Sequence, residues 1–176
     1  MFGSLFGAAG LPDKAIEYAG FVLTHCAAIA DANRGVELIC PFAVITSSNG
    51  REVLDFESET QEEAVSKGWA SFAEAKRRRD WWAFGREGIY RDPDGTASDV
   101  LTVTVWTPQM KFHHSFTQRF GRRPDQGICL FGGTELVKHA GEYAEPVERW
   151  SQSALLRGIN SHPQGARWQE WSRSDA

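Results

Sequence analysis

Cysteine is scarce in this chain: Cys26, Cys40 and Cys129 are odd in number, widely separated and set among apolar neighbours. Such a set cannot build a disulfide framework and lacks the Cys-x-x-Cys spacing of a metal site, so buried free thiols are the expected state. Long apolar runs are missing as well. No stretch approaches the roughly 20 apolar residues that a membrane-crossing helix needs, and residues 1–10 lack the basic n-region of a secretory leader. A cytoplasmic protein without membrane association is expected. Positive charge is not in excess either: a net charge of −4 and a pI near 5.7 leave no strongly basic face to neutralise phosphates, which disfavours nucleic acid as a partner.

Catalytic signatures are also absent. The chain has no Gly-x-Ser-x-Gly, His-Glu-x-x-His or Walker pattern, each of which would hold a nucleophile, a metal or a phosphate in a defined local geometry. Internal repeats and low-complexity segments are lacking too. No cofactor is implied.

What the sequence does contain is the material of a core. A hydrophobic fraction of 41%, with seven Trp and eleven Phe, exceeds what a disordered chain carries, and 176 residues suit one domain of ordinary size. Residues 1–11, rich in Gly and Phe, read as an N-terminal arm, and residues 12–176 as a single α+β domain.

The segment Asp99–Thr107 is the strongest strand, because β-branched and aromatic residues fill it almost throughout. Alternation puts Leu101, Val103 and Val105 on a wholly apolar face, and Val100, Thr102, Thr104 and Trp106 on a semi-polar one. Before it, Pro12 and Asp13 open a helix over about 13–32, whose Ile16, Ala19, Leu23, Cys26, Ala27 and Ala30 recur at helical spacing; His25 beside that stripe reads as an ordinary interior or boundary histidine. Val36–Thr46 is apolar on both alternating faces and predicts a covered strand, with Pro41 implying an edge or a bulge. Ser47–Gly50 signals a hairpin returning through Arg51–Ser58. Thr60 and Glu63 form a capping-box pattern that starts a second helix, with Val65, Gly68, Trp69, Phe72 and Ala73 inward and Lys76–Arg79 at its end. Trp81–Arg91 and Phe112–Phe120 complete a meander around the central strand. Ile128–Phe131 reads as a short buried strand, Glu145-Pro146 as the opening of a third helix ending at Gly158, and residues 159–176 as a loop with a short amphipathic turn. The expected fold is α+β: an antiparallel sheet, built from the hairpin and the three-stranded meander, with helices packed mainly on one face.

Candidate sites follow from charge and aromatic content. Glu52, Asp55, Glu57, Glu59, Glu62 and Glu63 fall within thirteen residues whose one cation is Arg51. They point in several directions, which does not suit a metal, but Asp55, Glu57, Glu59 and Glu62 can form an acidic binding surface as readily as a solvated face. A pocket lined by Trp81, Trp106, His114 and Phe116 is the second candidate, although a plain core explains those aromatics equally well. Three further features have simpler explanations. Cys129 with His113, His114 or His139 could pair as nucleophile and base, yet Cys129 sits in an apolar run that suits a core thiol. Gly132-Gly133-Thr134 lacks the rest of a phosphate loop, and Lys76–Arg79 with Trp81 and Trp82 fits a helix end entering a core strand. The balance of features favours a non-catalytic adaptor or immunity-type protein that binds a protein partner or self-associates; the alternative is a small-molecule sensor or small enzyme with an aromatic pocket near His114.

The cysteine spacing and the opposite directions of His113 and His114 on one strand argue against a structural metal. Chelator is expected to leave the thermal melting curve unchanged, whereas stoichiometric zinc in untagged protein, with a lower melting temperature in chelator, would overturn that expectation.

Overall fold

The computed structural model describes residues 10–34, 37–140 and 143–173. Residues 1–9 of the expected arm and Val36 lie outside them. Helix α1 (Asp13–Ala32) follows Pro12, which stands at the N-cap in an extended conformation and whose carbonyl accepts from Ala15 at 3.0 Å. Its Ile16, Ala19, Leu23, Cys26, Ala27 and Ala30 are all buried, as their spacing requires. Strand β1 (Phe42–Ser47) pairs with β2 (Gly50–Asp55) around a tight turn at Ser48 and Asn49. Helix α2 (Gln61–Arg78) starts at Thr60, whose hydroxyl accepts from the Glu63 N–H at 3.2 Å and fixes the first turn. The reciprocal bond from the Glu63 carboxylate is not made among the described residues, so the capping box closes on one side only.

Strands β3 (Trp81–Arg91), β4 (Ala97–Trp106) and β5 (His114–Arg123) form the expected meander. The chain continues through β6 (Gly127–Leu130), β7 (Glu135–Ala140) and β8 (Tyr143–Pro146) to α3 (Gln152–Ser161) and α4 (Arg167–Ser172). All pairings are antiparallel in one eight-stranded sheet of order β2-β1-β3-β4-β5-β7-β8, and β6 shares the outer edge of β5 with β7. The two neighbours meet at Gln118. Its side-chain amide donates to the carbonyls of Phe131 and Gly132 and its oxygen accepts from Thr134, so Gly132-Gly133-Thr134 is a turn tied to the sheet.

Four expectations are corrected. Residues 37–41 are not part of the first strand: Pro41 has no N–H to donate, and the pairing begins at Phe42. Ala73 is exposed; Ala64, Gly68 and Ala75 are the fully buried residues of α2, with Val65, Trp69 and Phe72 partly buried beside them. Pro146 ends β8 instead of opening a helix, and α3 is capped at Ser151, whose hydroxyl accepts from Ala154. Gly158 lies inside α3 and does not stop it.

The two faces of the sheet differ as the alternation in β4 requires. Leu101, Val103 and Val105 share their face with Phe42, Val44, Ala83, Gly85 and Phe116, and α1 packs on that apolar side. Helix α3 stacks on α1, and α4 lies against β6, so three of the four helices collect there. Helix α2 covers the other face at Trp82 and Phe84.

Both helix layers need small residues at their crossings. A Cβ at Gly68 would overlap the Phe84 ring, and one at Gly158 would overlap the Glu17 carbonyl oxygen of α1. Replacing glycine by alanine inside a helix ordinarily stabilises it by about 1 kcal/mol. Gly158→Ala is expected to do the reverse, lowering stability by about 1–3 kcal/mol in a urea melt, because a backbone atom cannot rotate away from the added methyl. An increase in stability would show that α1 and α3 can separate at no cost.

Candidate functional site

The structure spreads the four expected pocket residues over both faces of the sheet. His114 and Phe116 lie on the apolar face, 2% and 0% exposed, with the His114 Nδ1–H donated to the Phe112 carbonyl at 3.1 Å. Burial pushes the His114 pKa down, and no ionisable side chain hydrogen-bonds it among the described residues. Trp106 is on the opposite face and donates its indole N–H to Met110. Trp81 lies at the start of β3, edge-on to Tyr18 of α1. His25 contacts His162 at 3.2 Å and the Phe42 ring, a boundary position between helices. Of the cysteines only Cys26 is buried, and burial raises its pKa strongly; Cys40 and Cys129 are half-buried, and the Cys129 thiol donates to the Gly121 carbonyl.

The face under α2 brings together a set of residues that the sequence reading did not group. Register puts Arg86 of β3 on the same face as Thr104 of β4, Ser115 of β5 and His139 of β7; Thr104 and Ser115 are directly opposite each other, while Arg86 and His139 reach them diagonally from opposite ends. The Arg86 guanidinium donates to the Thr104 hydroxyl at 3.3 Å; Thr104 and Ser115 hydroxyls are 2.8 Å apart, and Ser115 meets His139 Nε2 at 2.9 Å. Arginine can only donate, so the direction that uses each donor once runs from Arg86 through Thr104 and Ser115 to the lone pair of a neutral His139. His113 stacks on His139 at 4.9 Å and touches Trp69 and Phe72 of α2. Arg86 itself lies over Phe84 and Trp69, 4.9 and 5.7 Å from their ring centroids.

The electrostatics of this seam have one sign. Burial, then His139, His114, Lys76 and Arg86, hold the His113 pKa down at about 4; burial, then Arg86, lower that of His139; and burial lowers that of Arg86. Arg119 and Arg122 on the neighbouring strand are instead matched by carboxylates, Arg119 by Asp92 at 3.0 Å and Arg122 by Glu87 and by Asp99. Arg86 has no such partner among the described residues.

The acidic surface lies at the far margin of the sheet. Asp55, Glu57, Glu59 and Glu62 are all exposed and form no ion pair among the described residues; Lys67, the nearby cation, donates to the backbone carbonyl of Glu57. A groove of about 480 Å³ runs beside them over Leu38, Ile39, Pro41, Phe56 and Ala64, with Glu57 and Glu59 on its rim. Leu38 is 59% exposed and Val53 of β2 is 49% exposed. Among the described residues β2 is the end strand of the sheet, and its outer edge pairs with none of them.

The chain matches no model of a known protein family, no curated protein and no solved structure.

Sequence reading missed the seam for two reasons. His139 stands in a stretch that carried no strand signal of its own, and a register between β5 and β7 cannot be read locally. One clue was present: Arg86 interrupts the apolar run Trp82–Gly85 at a position facing the same way as Trp82 and Phe84.

All five histidines are held below their usual pKa, chiefly by burial. Below pH 6.5 the unfolded chain therefore binds protons that the folded protein refuses, and stability falls as the pH drops toward the folded values. For His113 the window runs from 6.5 down to about 4. His113→Gln is expected to make the slope of stability against pH shallower across that window, measured by urea melts at several pH values. An unchanged slope would mean that His113 is solvated in the folded state.

Proposed function

We propose that this protein is a non-catalytic binding protein, adaptor-like or immunity-like, that uses the acidic margin around β2 and the start of α2 to hold a basic protein partner. The observation that carries this reading is the row Asp55, Glu57, Glu59 and Glu62, exposed and without ion pairs among the described residues, along a groove with an apolar floor. Solvated carboxylates beside exposed Leu38 supply both halves of an interface: burial of apolar surface for affinity, and charge for orientation. Symmetry bears on the choice of partner. A second copy would bring the same four carboxylates to the interface, so a basic partner suits this margin better than an identical subunit. A second reading, a small-molecule sensor, draws on the polar seam at Arg86 on another part of the sheet.

Affinity purification followed by mass spectrometry, repeated with Asp55→Lys/Glu57→Lys/Glu59→Lys, tests the proposal. A partner retained by the wild type and lost by the variant supports it. Association with that partner should slow severalfold in the variant and lose most of its salt dependence, since screening shortens the reach of charge from about 30 Å at about 0.01 M salt to about 8 Å at about 0.15 M. Glu63 is left intact because its carboxylate stands in the first turn of α2, where negative charge favours the helix start. Equal association rates for wild type and variant would make the margin an ordinary solvated face.

A further inference from the structure

We infer that the seam under α2 is a binding site for a small organic anion, a carboxylate on a planar or aromatic body, with Arg86 as the charged anchor. Among the described residues Arg86 has no carboxylate partner. A guanidinium in the middle of a sheet loses much of its hydration, and such a group is ordinarily matched by a carboxylate. Arg119 and Arg122 follow that rule, each with carboxylate partners within a strand or two. Arg86 departs from it: its hydrogen-bonded partner is the neutral Thr104 hydroxyl, and two aromatic rings hold its body in place.

The groups around Arg86 match an anion rather than a cation. The charges that act on His113 and His139 are other imidazoles, Lys76 and Arg86, all of them basic. The hydroxyls of Thr104 and Ser115 are 0% and 5% exposed and already occupied in the relay between Arg86 and His139, so they fix the fork instead of neutralising it. A carboxylate is the ligand head whose two oxygens accept from two parallel guanidinium N–H groups bidentately. Trp69, His113 and His139 supply flat walls, which suit a planar body beside that head.

The sheet floor next to Arg86 on β3 carries no side chain, because Gly88 stands there. Gly88 follows Arg86 on the same face of β3, and a Cβ there would meet nothing closer than Val100 at 3.5 Å. A longer side chain at this position would occupy the floor one step along β3 from Arg86. The site is separate from the acidic margin: it lies over β3, β4, β5 and β7, whereas the margin lies at β2 and the start of α2.

The test uses the full chain with sodium benzoate as probe, benzamide as its uncharged counterpart, and sodium chloride and sodium phosphate as controls. Benzoate is expected to raise the melting temperature with saturation and to shift the imidazole NMR signals of His113 and His139; benzamide, chloride and phosphate are expected to do neither. Arg86→Met should abolish the benzoate response while melting no lower than the wild type, because it removes a buried charge without an acidic partner. A structural role for Arg86 would instead lower the melting temperature. Gly88→Leu, which leaves Arg86 in place and fills the floor beside it, should also remove the response. The inference is overturned if benzamide acts as benzoate does, if phosphate acts and benzoate does not, or if folded Arg86→Met or Gly88→Leu responds like the wild type. None of these outcomes depends on the basic partner proposed for the acidic margin.

Discussion

A strand buried on both faces must find a partner for every polar side chain it carries, and β4 carries Thr102 and Thr104 in the middle of this sheet. That constraint shapes the second face. Apolar helix residues cannot satisfy a hydroxyl, so α2 packs its rings on Trp82, Phe84 and Trp106, and Thr104 turns to Ser115 and Arg86. Ser115 in turn requires His139, which β7 brings to it through pairing with β5. The polar seam is thus a consequence of Thr104 and Ser115 placed opposite each other in register. It is also the reason that the two faces of the sheet have different chemistry.

The opposite face is closed by size complementarity. Gly85 of β3 leaves room for the Phe42 ring and the Cys26 thiol, and Gly20 and Gly158 let α1 and α3 approach until backbone meets backbone. Polar ties then hold the periphery to this layer. Glu87, 8% exposed, accepts from the Ile39 N–H and pairs with Arg122, which fixes the segment leading into β1. Asp31 at the end of α1 accepts from Ile128 of β6 and pairs with Arg167 of α4. These contacts link elements distant in the chain, so the groove at 38–41 and the edge of β2 are carried on a well-packed body.

Charge is segregated across the molecule although its net value is small. Among the described residues, carboxylates without ion pairs gather at the β2 margin and basic groups without a carboxylate gather in the seam over β3 to β7. Separation of this kind favours partners of opposite character at the two places: a basic macromolecular surface at the exposed margin and a small anion in the half-buried seam. The burial of each place sets the size of what it can admit.

The sequence by itself determined the local elements. The helical spacing in Asp13–Ala32, the Thr60 cap and the β-branched density of Ala97–Trp106 are near-neighbour properties, and each appears in the structure where its residues place it. The alternation in β4 also determined that one sheet face would be apolar and the other semi-polar, and the acidic row was visible as a run of residues. Only the tertiary structure decided which side chains meet. His114 and Trp106 were grouped by their aromatic character, but register sends them to opposite faces of the sheet. Arg86 and His139, 53 residues apart by their numbers in the chain, become neighbours because β7 pairs with β5 alongside β3 and β4. Strand pairing is a choice among distant partners, made by burial and hydrogen bonding over the whole sheet, and a slip of one residue would reverse every face.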